Sequence, residues 1–160
     1  VTVSLIKDFM DGKSESGSNS TSESADQIIG LAIGYSSVEV RNIGFTTRLV
    51  YNRYDGEDVD DPELWRLDGN GAYGLTSEVY LYGGINLSRL NEPDVPSGIS
   101  VSSSPGVGFQ VGAGFQINPN LGIQAGYGQL NNEIEASGFG DSASVDFTIE
   151  GLEVALVGTF

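Results

Sequence analysis

The sequence contains no cysteine and no histidine, and only seven of its 160 residues are lysine or arginine. Without cysteine the chain can form neither a disulfide framework nor a thiolate metal site. Without histidine it lacks the commonest general base and the commonest zinc ligand. Its 22 acidic side chains give a formal net charge of −15, which argues against a nucleic-acid partner. No apolar run approaches the ~20 residues of a membrane-spanning helix.

Glycine, by contrast, is abundant, with 23 residues, and part of it is placed with a strict period. From Val107 to Ile117 the odd positions are apolar or alanine, and the even positions are only glycine or glutamine. The same alternation resumes from Leu121 to Gly128 after a turn at residues 118–120. A period of two predicts β-strands, yet glycine weakens a strand interior. The pattern therefore needs a second explanation.

Period-two segments of this kind account for most of the chain. We predict eight strands, roughly at Val1–Phe9, Gln27–Ser36, Asn42–Tyr54, Leu64–Leu75, Ser77–Leu90, Pro105–Asn118, Leu121–Asn131 and Val145–Phe160. The connections between them alternate in length. Long ones are predicted at Met10–Asp26, Asp55–Glu63, Asn91–Ser104 and Asn132–Ser144, and short turns around Ser37–Arg41, Thr76 and Asn118–Asn120. This alternation predicts an up-and-down antiparallel sheet with every long connection at one end. The Ser/Gly-rich composition of Met10–Asp26 predicts a mobile or disordered loop.

Alternation alone does not say which face is inside, so a soluble barrel such as a lipocalin is the alternative to a membrane barrel. The chemistry of the polar face favours the membrane barrel. A face exposed to water normally carries Lys, Glu and Thr, whereas this one carries Gly, Gln, Asn and Tyr with few charges. Eight strands enclose a lumen that side chains just fill, so inward Tyr80 and Tyr82 need small residues opposite. The glycine-rich face is then the interior, and the apolar face contacts lipid.

Aromatic positions on the fourth predicted strand support this interpretation. Trp65 and Tyr73 share the outward phase eight residues apart. At ~3.3 Å per residue and a tilt of ~40°, they are separated by about 20 Å of height. The spacing suits two aromatic girdles at opposite headgroup layers.

The chain resembles the eight-stranded outer-membrane barrels of the OmpA/OmpX type from Gram-negative bacteria. The resemblance rests on this architecture over residues 1–160, taken as one barrel domain, and on the last eight residues. Glu153, Ala155 and Phe160 match the C-terminal signal that the barrel assembly machinery reads, whereas Gly158 stands where a large apolar residue is usual. The resemblance implies a monomer in the outer membrane, surrounded by lipid and lipopolysaccharide, with the assembly machinery as a partner during biogenesis.

The same resemblance bears on catalysis. Barrels of this size that act on lipid A use histidine as a general base, and this chain has none. We therefore predict that the protein is not an enzyme and uses no cofactor. The predicted function is a rigid barrel that anchors acidic extracellular loops, for envelope integrity, surface interaction or adhesion with an unidentified extracellular partner. The alternative is a narrow channel or a binding protein for a small, possibly apolar, ligand.

Two sets of inward positions are candidate sites. Charged residues on the inward phase predict an interior ion network, which is either a static polar plug or a gate: Arg48, Arg66, Asp68 and Glu153. Apolar residues on the inward phase near the long connections predict a plug or a small pocket: Ile6, Ile28, Val50, Leu130, Phe147 and Ile149. A β-bulge near Gly151 would instead turn Phe147 and Ile149 towards lipid.

The acidic connection at residues 55–63 raises the question of a calcium site. Its carboxylates are Asp55, Glu57, Asp58, Asp60, Asp61 and Glu63. The spacing is not that of an EF-hand, because no glycine stands at the required turn position. A solvated, self-repelling loop is the interpretation that we favour, and no metal site is predicted.

Overall fold

A computed structural model describes the backbone of residues 1–16, 19–54, 63–91, 99–138 and 141–160. Side chains are described for the same residues except 10, 12, 14–16, 19–29, 99–101, 134, 136–138, 141–143, 145 and 147. Within this part of the chain no helix is long and apolar enough to cross a membrane. Nine strands are present in it: β1 Thr2–Ser16, β2 Asn19–Ser37, β3 Ile43–Tyr54, β4 Glu63–Gly74, β5 Val79–Leu90, β6 Ile99–Ser103, β7 Gly106–Asn118, β8 Leu121–Gly138 and β9 Asp141–Thr159.

Eight of these strands close into an antiparallel barrel. Each strand from β1 to β4 pairs with the next one in sequence, β5 pairs with β7, and β7 pairs with β8. β9 closes the ring because it pairs with β8 on one side and with β1 on the other, where Thr2 faces Thr159. Closure removes the sheet edges that an open sheet would expose. The predicted eight-stranded up-and-down barrel is confirmed.

β6 is the continuation of β7 rather than a separate wall element. It pairs with β8, with Ser103 opposite Ile134, and β7 takes over the same partner with Val107 opposite Asn131. Pro105 lies at the break, and proline has no N–H to donate to a ladder. The predicted long connection at Asn91–Ser104 is therefore partly strand.

Two other predicted loops, at Met10–Asp26 and Asn132–Ser144, are also strands for most of their length. β1 and β2 stay paired up to Ser16 opposite Asn19, and β8 and β9 up to Gly138 opposite Asp141. In the described residues 10–16 and 19–26 the chain is paired strand, so the prediction of a mobile or disordered loop there was wrong. Backbone hydrogen bonds hold a ladder whatever the side chains are, so hairpins without an apolar face show no alternation in sequence.

The side chains alternate as the membrane interpretation requires. The exterior carries a continuous apolar band, and Trp65 and Tyr73 are both exposed on it, at 42% and 43%. Near the short turns the ring of Tyr35 lies 5.6 Å from that of Phe45, and towards the other end Tyr51 lies 5.0 Å from Trp65. A closed barrel with an apolar exterior and aromatic girdles is a membrane-spanning structure.

The inward glycines make room for tyrosine rings. A Cβ atom on Gly114 would lie 2.1 Å from Cζ of Tyr80, and one on Gly126 would lie 2.5 Å from the hydroxyl of Tyr82. Outward Gly69, in contrast, has no atom within 4 Å of such a Cβ. The glycines of β7 and β8 that face these two rings, Gly112, Gly114 and Gly126, are thus a packing requirement of a narrow lumen.

The β-bulge that the sequence suggested near Gly151 is not present. The pairing of β9 runs without a shift past Gly151, which faces Gly128 on one side and Met10 on the other. As a result Ile149 is buried inside the barrel, 5% exposed. An irregularity lies instead in β2, between Gln27 and Ile29.

Candidate functional site: the lumen and the long-connection end

Four buried charged side chains meet inside the barrel, halfway along its axis. Arg48 on β3 is the direct cross-strand neighbour of Asp68 on β4, and Arg66 precedes Asp68 by one inward position. Glu153 reaches the same point from β9, on another part of the wall. The Arg48 Nη2 atom lies 2.8 Å from Asp68 Oδ2 and 2.8 Å from Glu153 Oε1.

Arg66 completes the arrangement. Its Nε atom donates to Asp68 Oδ1 at 2.7 Å, and its Nη2 atom donates to Glu153 Oε2. Each carboxylate therefore contacts both guanidinium groups, and each guanidinium contacts both carboxylates. We call these four residues the ion quartet. The structure brings together all four members of the ion network that the sequence predicted.

Amide side chains extend the ion quartet towards the short-turn end. Gln124 Oε1 accepts from Arg48 Nη1 at 3.1 Å, and its Nε2 donates to the Tyr80 hydroxyl. Gln110 Nε2 donates to Asn70 Oδ1 at 2.8 Å. Buried charges are tolerated only when they are paired and hydrogen-bonded. This network meets that condition with two positive and two negative groups.

Asp8 is an interior carboxylate that the sequence analysis did not single out. It is buried on β1, where Asn52 Nδ2 donates to its Oδ2 at 2.7 Å and the Tyr54 hydroxyl donates to the same atom at 3.0 Å. The signal was available, because Asp8 shares the even, inward phase of Ser4 and Ile6 in the first predicted strand.

The predicted apolar set divides into two clusters. Leu130 and Ile149 pack with Tyr54 and Leu64 on the long-connection side of the ion quartet. Ile6 and Val50 belong to a separate cluster along another part of the wall, with Ala32, Ala155 and Val157. The side chains of Ile28 and Phe147 lie outside the described residues. The first cluster covers the quartet, so the described lumen holds an apolar layer over a charged one.

The lumen is open at the opposite end. A cavity of about 280 Å³ lies between the short turns and extends inwards to Arg48 and Gln124. Hydroxyl groups of Thr46 and Tyr80 line it, and Glu39 and Glu78 stand at its mouth. Hydrogen bonds from Ser77 and Thr76 lower the pKa of the Glu78 carboxyl, which favours its ionised form.

At the long-connection end, β8, β9 and β1 extend beyond the aromatic girdle. Their outer face there carries the exposed acidic residues Asp11, Glu133, Glu135 and Asp146, and we call this part of the wall the acidic sheet. Glu133 and Asp146 are direct cross-strand neighbours there, and both are exposed. Lys13 contacts Glu150, and the hydrogen bond and charge of that carboxylate raise the pKa of the Lys13 ammonium.

Of the acidic connection, only Glu63 belongs to the described residues. Its carboxylate accepts from the Tyr51 hydroxyl at 2.9 Å and from Asn91 Nδ2 at 2.7 Å. The other carboxylates of the calcium hypothesis, at positions 55–61, lie outside the described part. Where the structure describes the chain, no group of three or more potential ligands is placed to hold a metal ion.

The residues of the predicted assembly signal do not share one environment. Glu153 belongs to the ion quartet, Ala155 is buried, and Phe160 is 85% exposed. A role in assembly for these residues stays a prediction.

Comparison with solved structures identifies the fold. Neisserial surface protein A matches with a TM-score of 0.57 and 20% identity over 99% of this chain and 97% of its own. The outer membrane protein OprG of Pseudomonas aeruginosa matches with a TM-score of 0.52 and 12% identity over 98% of this chain and 96% of its own. Ail, the attachment invasion locus protein of Yersinia pestis, matches with a TM-score of 0.52 and 14% identity over 98% of this chain and 97% of its own. Neither a protein-family model nor a curated protein sequence matches the chain.

Proposed function

Because this chain has the fold of eight-stranded outer-membrane barrels, we propose that it lies in the outer membrane of a Gram-negative bacterium and presents the acidic sheet to the cell exterior. In this orientation the short turns face the periplasm. The barrel acts as a rigid anchor, and the sheet makes the contacts by which the protein contributes to surface interaction or adhesion.

The observation that carries the proposal is the charge arrangement on the acidic sheet. Like charges that face each other across two strands are destabilising, yet Glu133 faces Asp146 directly. Asp11 likewise faces Glu150, where Lys13 is the neighbouring cation. Stability alone does not favour such a surface, whereas long-range attraction of a positively charged partner does.

Two of the similar structures have names that refer to the cell surface or to attachment. One is called a surface protein and another an attachment invasion locus protein. These names describe those proteins. For this chain they support a surface role as the first one to test.

The test uses the full chain in lipid nanodiscs, with poly-L-lysine and poly-L-glutamate as probes. We expect the protein to bind poly-L-lysine in a salt-dependent manner and not to bind poly-L-glutamate. The variant E133Q/D146N should weaken that binding. The matched control is E39Q/E78Q, which removes the same charge at the opposite end of the barrel and should bind as the wild type does.

Equal loss in both variants would mean that net charge, and not the acidic sheet, attracts the probe. Unchanged binding in E133Q/D146N would exclude the sheet as the interacting surface. Heat-dependent gel mobility of each variant shows beforehand whether the barrel has folded.

A second function, a narrow channel, is favoured by one observation. The cavity of about 280 Å³ leads from the short-turn end to the ion quartet, so half of a path through the barrel is already open. Recordings across planar bilayers test this function. Brief openings of the wild type that become more frequent in R48Q support it, and silent bilayers for both proteins exclude it.

A further inference from the structure

The cavity at the short-turn end has a polar floor and a partly covered entrance. Arg48 and Gln124 form the floor, where Gln124 accepts a hydrogen bond from Arg48. At the entrance, the turn between β2 and β3 folds inwards over the end of the barrel. Inward Gly74 makes room for this turn, because a Cβ atom there would lie 2.2 Å from the backbone oxygen of Glu39. The turn thus narrows the entrance, and the cavity has the shape of a ligand pocket.

Carboxylates from two different turns stand at this entrance. Glu39 belongs to the turn between β2 and β3, and Glu78 belongs to the turn between β4 and β5. Both side chains are exposed. Among the described residues that line the cavity, Arg48 is the one lysine or arginine, and its charge is compensated within the ion quartet. The entrance therefore attracts a positively charged group.

Between the entrance and the floor, hydroxyl groups line the wall. They belong to Thr2 and Ser4 on β1, Thr46 on β3 and Tyr80 on β5. Ser4 is only 2% exposed, and within the described part of the chain its hydroxyl makes no hydrogen bond. A buried hydroxyl without a partner is unfavourable, and hydroxyl groups can both donate and accept. The wall is therefore suited to a ligand that carries hydroxyl groups of its own.

We propose that this pocket binds a small hydroxylated cation of the amino-sugar class. Its ammonium group contacts the carboxylates at the entrance, and its hydroxyl groups contact the wall. The volume of about 280 Å³ is close to the lower end of the range for small-molecule sites, roughly 300–1,000 Å³, which suits a single sugar ring. A neutral sugar would lack the charge-assisted hydrogen bonds at the entrance, and an anionic sugar would meet like charges there. The inference does not depend on the proposed function, because it concerns the opposite end of the barrel.

Isothermal titration calorimetry of the refolded protein in non-ionic detergent micelles tests the proposal. D-glucosamine is the probe. D-glucose lacks the charge, D-glucuronate has the opposite charge, and n-propylamine has the ammonium group without the hydroxyl groups. We expect D-glucosamine to bind, D-glucose and n-propylamine to bind about tenfold more weakly, and D-glucuronate not to bind. In NMR spectra, D-glucosamine should shift the backbone amide resonances of Ser4 and Thr46 and leave that of Asn132, near the other end, unchanged.

Two variants separate the entrance from the wall. E39Q/E78Q should weaken the binding of D-glucosamine about tenfold and leave that of D-glucose unchanged, whereas S4A should weaken the binding of both sugars. The matched control is E133Q/D146N, which removes the same charge at the opposite end of the barrel and should bind as the wild type does. Heat-dependent gel mobility shows beforehand whether each variant has folded.

The absence of D-glucosamine binding would overturn the proposal. Equal affinity for D-glucose, D-glucuronate or n-propylamine would overturn it as well, because the pocket would then not require both charge and hydroxyl groups. Unchanged binding in E39Q/E78Q or in S4A, or an equal loss in E133Q/D146N, would have the same consequence. Failure of the poly-L-lysine test would leave these results unaffected, so the two proposals are judged separately.

Discussion

Arg48 and Asp68 are direct neighbours across β3 and β4, and the same two side chains form an ion pair inside the barrel, with Nη2 2.8 Å from Oδ2. Strand register and electrostatics therefore specify the same contact. A slip of one residue between the two strands would turn one of these charges towards lipid and leave the other without its partner. The pair thus helps to select the native register as well as to fill the lumen.

Replacing Arg48 with methionine should lower the free energy of unfolding by roughly 3–5 kcal/mol, because buried Asp68 and Glu153 would each lose one of two cationic partners. Urea unfolding in lipid vesicles measures the change. The control is R41M at an exposed turn position, where little change is expected. Wild-type stability of R48M would contradict a stabilising role for the ion quartet.

The glycine of β7 that faces Tyr80 provides a test of packing in the lumen. G114A should destabilise the barrel by about 1–3 kcal/mol, as overpacking of a filled interior does, because its Cβ would lie 2.1 Å from Tyr80 Cζ. The double variant G114A/Y80A should be no less stable than Y80A, since the ring that clashes is gone. G69A, with no atom within 4 Å of its Cβ, is the matched control. A cost in G69A equal to that in G114A would refute the packing explanation.

Two valines on the exterior of β7 test the depth of the apolar band. V111R should cost about 2–4 kcal/mol if Val111 lies near the bilayer midplane, whereas V107R, closer to the girdle, should cost about 0–1 kcal/mol. Both side chains are exposed to the same degree, at 56% and 54%, so burial inside the protein does not confound the comparison. Equilibrium unfolding in vesicles measures both. Equal costs would mean that these positions do not lie at different depths.

Deleting Asp11–Glu23 tests the paired hairpin that replaces the expected loop. The thermal midpoint of the barrel should change little, because the segment adds few apolar contacts. Removal of the upper part of β1 should, however, deprive β9 of a partner strand along residues 146–150. Hydrogen exchange of β9 amides in that stretch should then become faster, with no change in the amides between β4 and β5. Unchanged exchange in β9 would show that this pairing does not persist in solution.

Much of the barrel could be predicted because its physical signal is local. In β3, β4, β5 and β7 the predicted ends lie within two residues of the observed ones. These strands have lipid on one side and a crowded lumen on the other, so every second residue is constrained. The inward positions of Arg48, Arg66, Asp68 and Glu153 could be predicted from the same alternation. Asp8 obeys the same rule, since it lies on the inward phase of β1, but the sequence prediction did not include it.

The hairpins were mispredicted for the opposite physical reason. Beyond the girdle the sheet has no lipid to face, so the outer part of β1 carries Asp11 and Lys13 where an apolar residue would otherwise stand. Without alternation a Ser-rich strand has the composition of a disordered loop. Only pairing with partners that are distant in the chain, such as Asn19 with Ser16 and Asp146 with Glu15, makes it a strand.

By itself the sequence determined the period of the strands, the polarity of each face and therefore the need for a membrane, because these depend on neighbours two residues apart. The tertiary structure decided which side chains meet. Arg66 and Glu153 are 87 positions apart and touch only because the barrel closes. It also decided that the predicted apolar set forms two clusters, since the position of Ile6 relative to Leu130 depends on how the strands are staggered around the ring. Contacts across a closed lumen are set by that stagger, and no pattern within a single strand contains it.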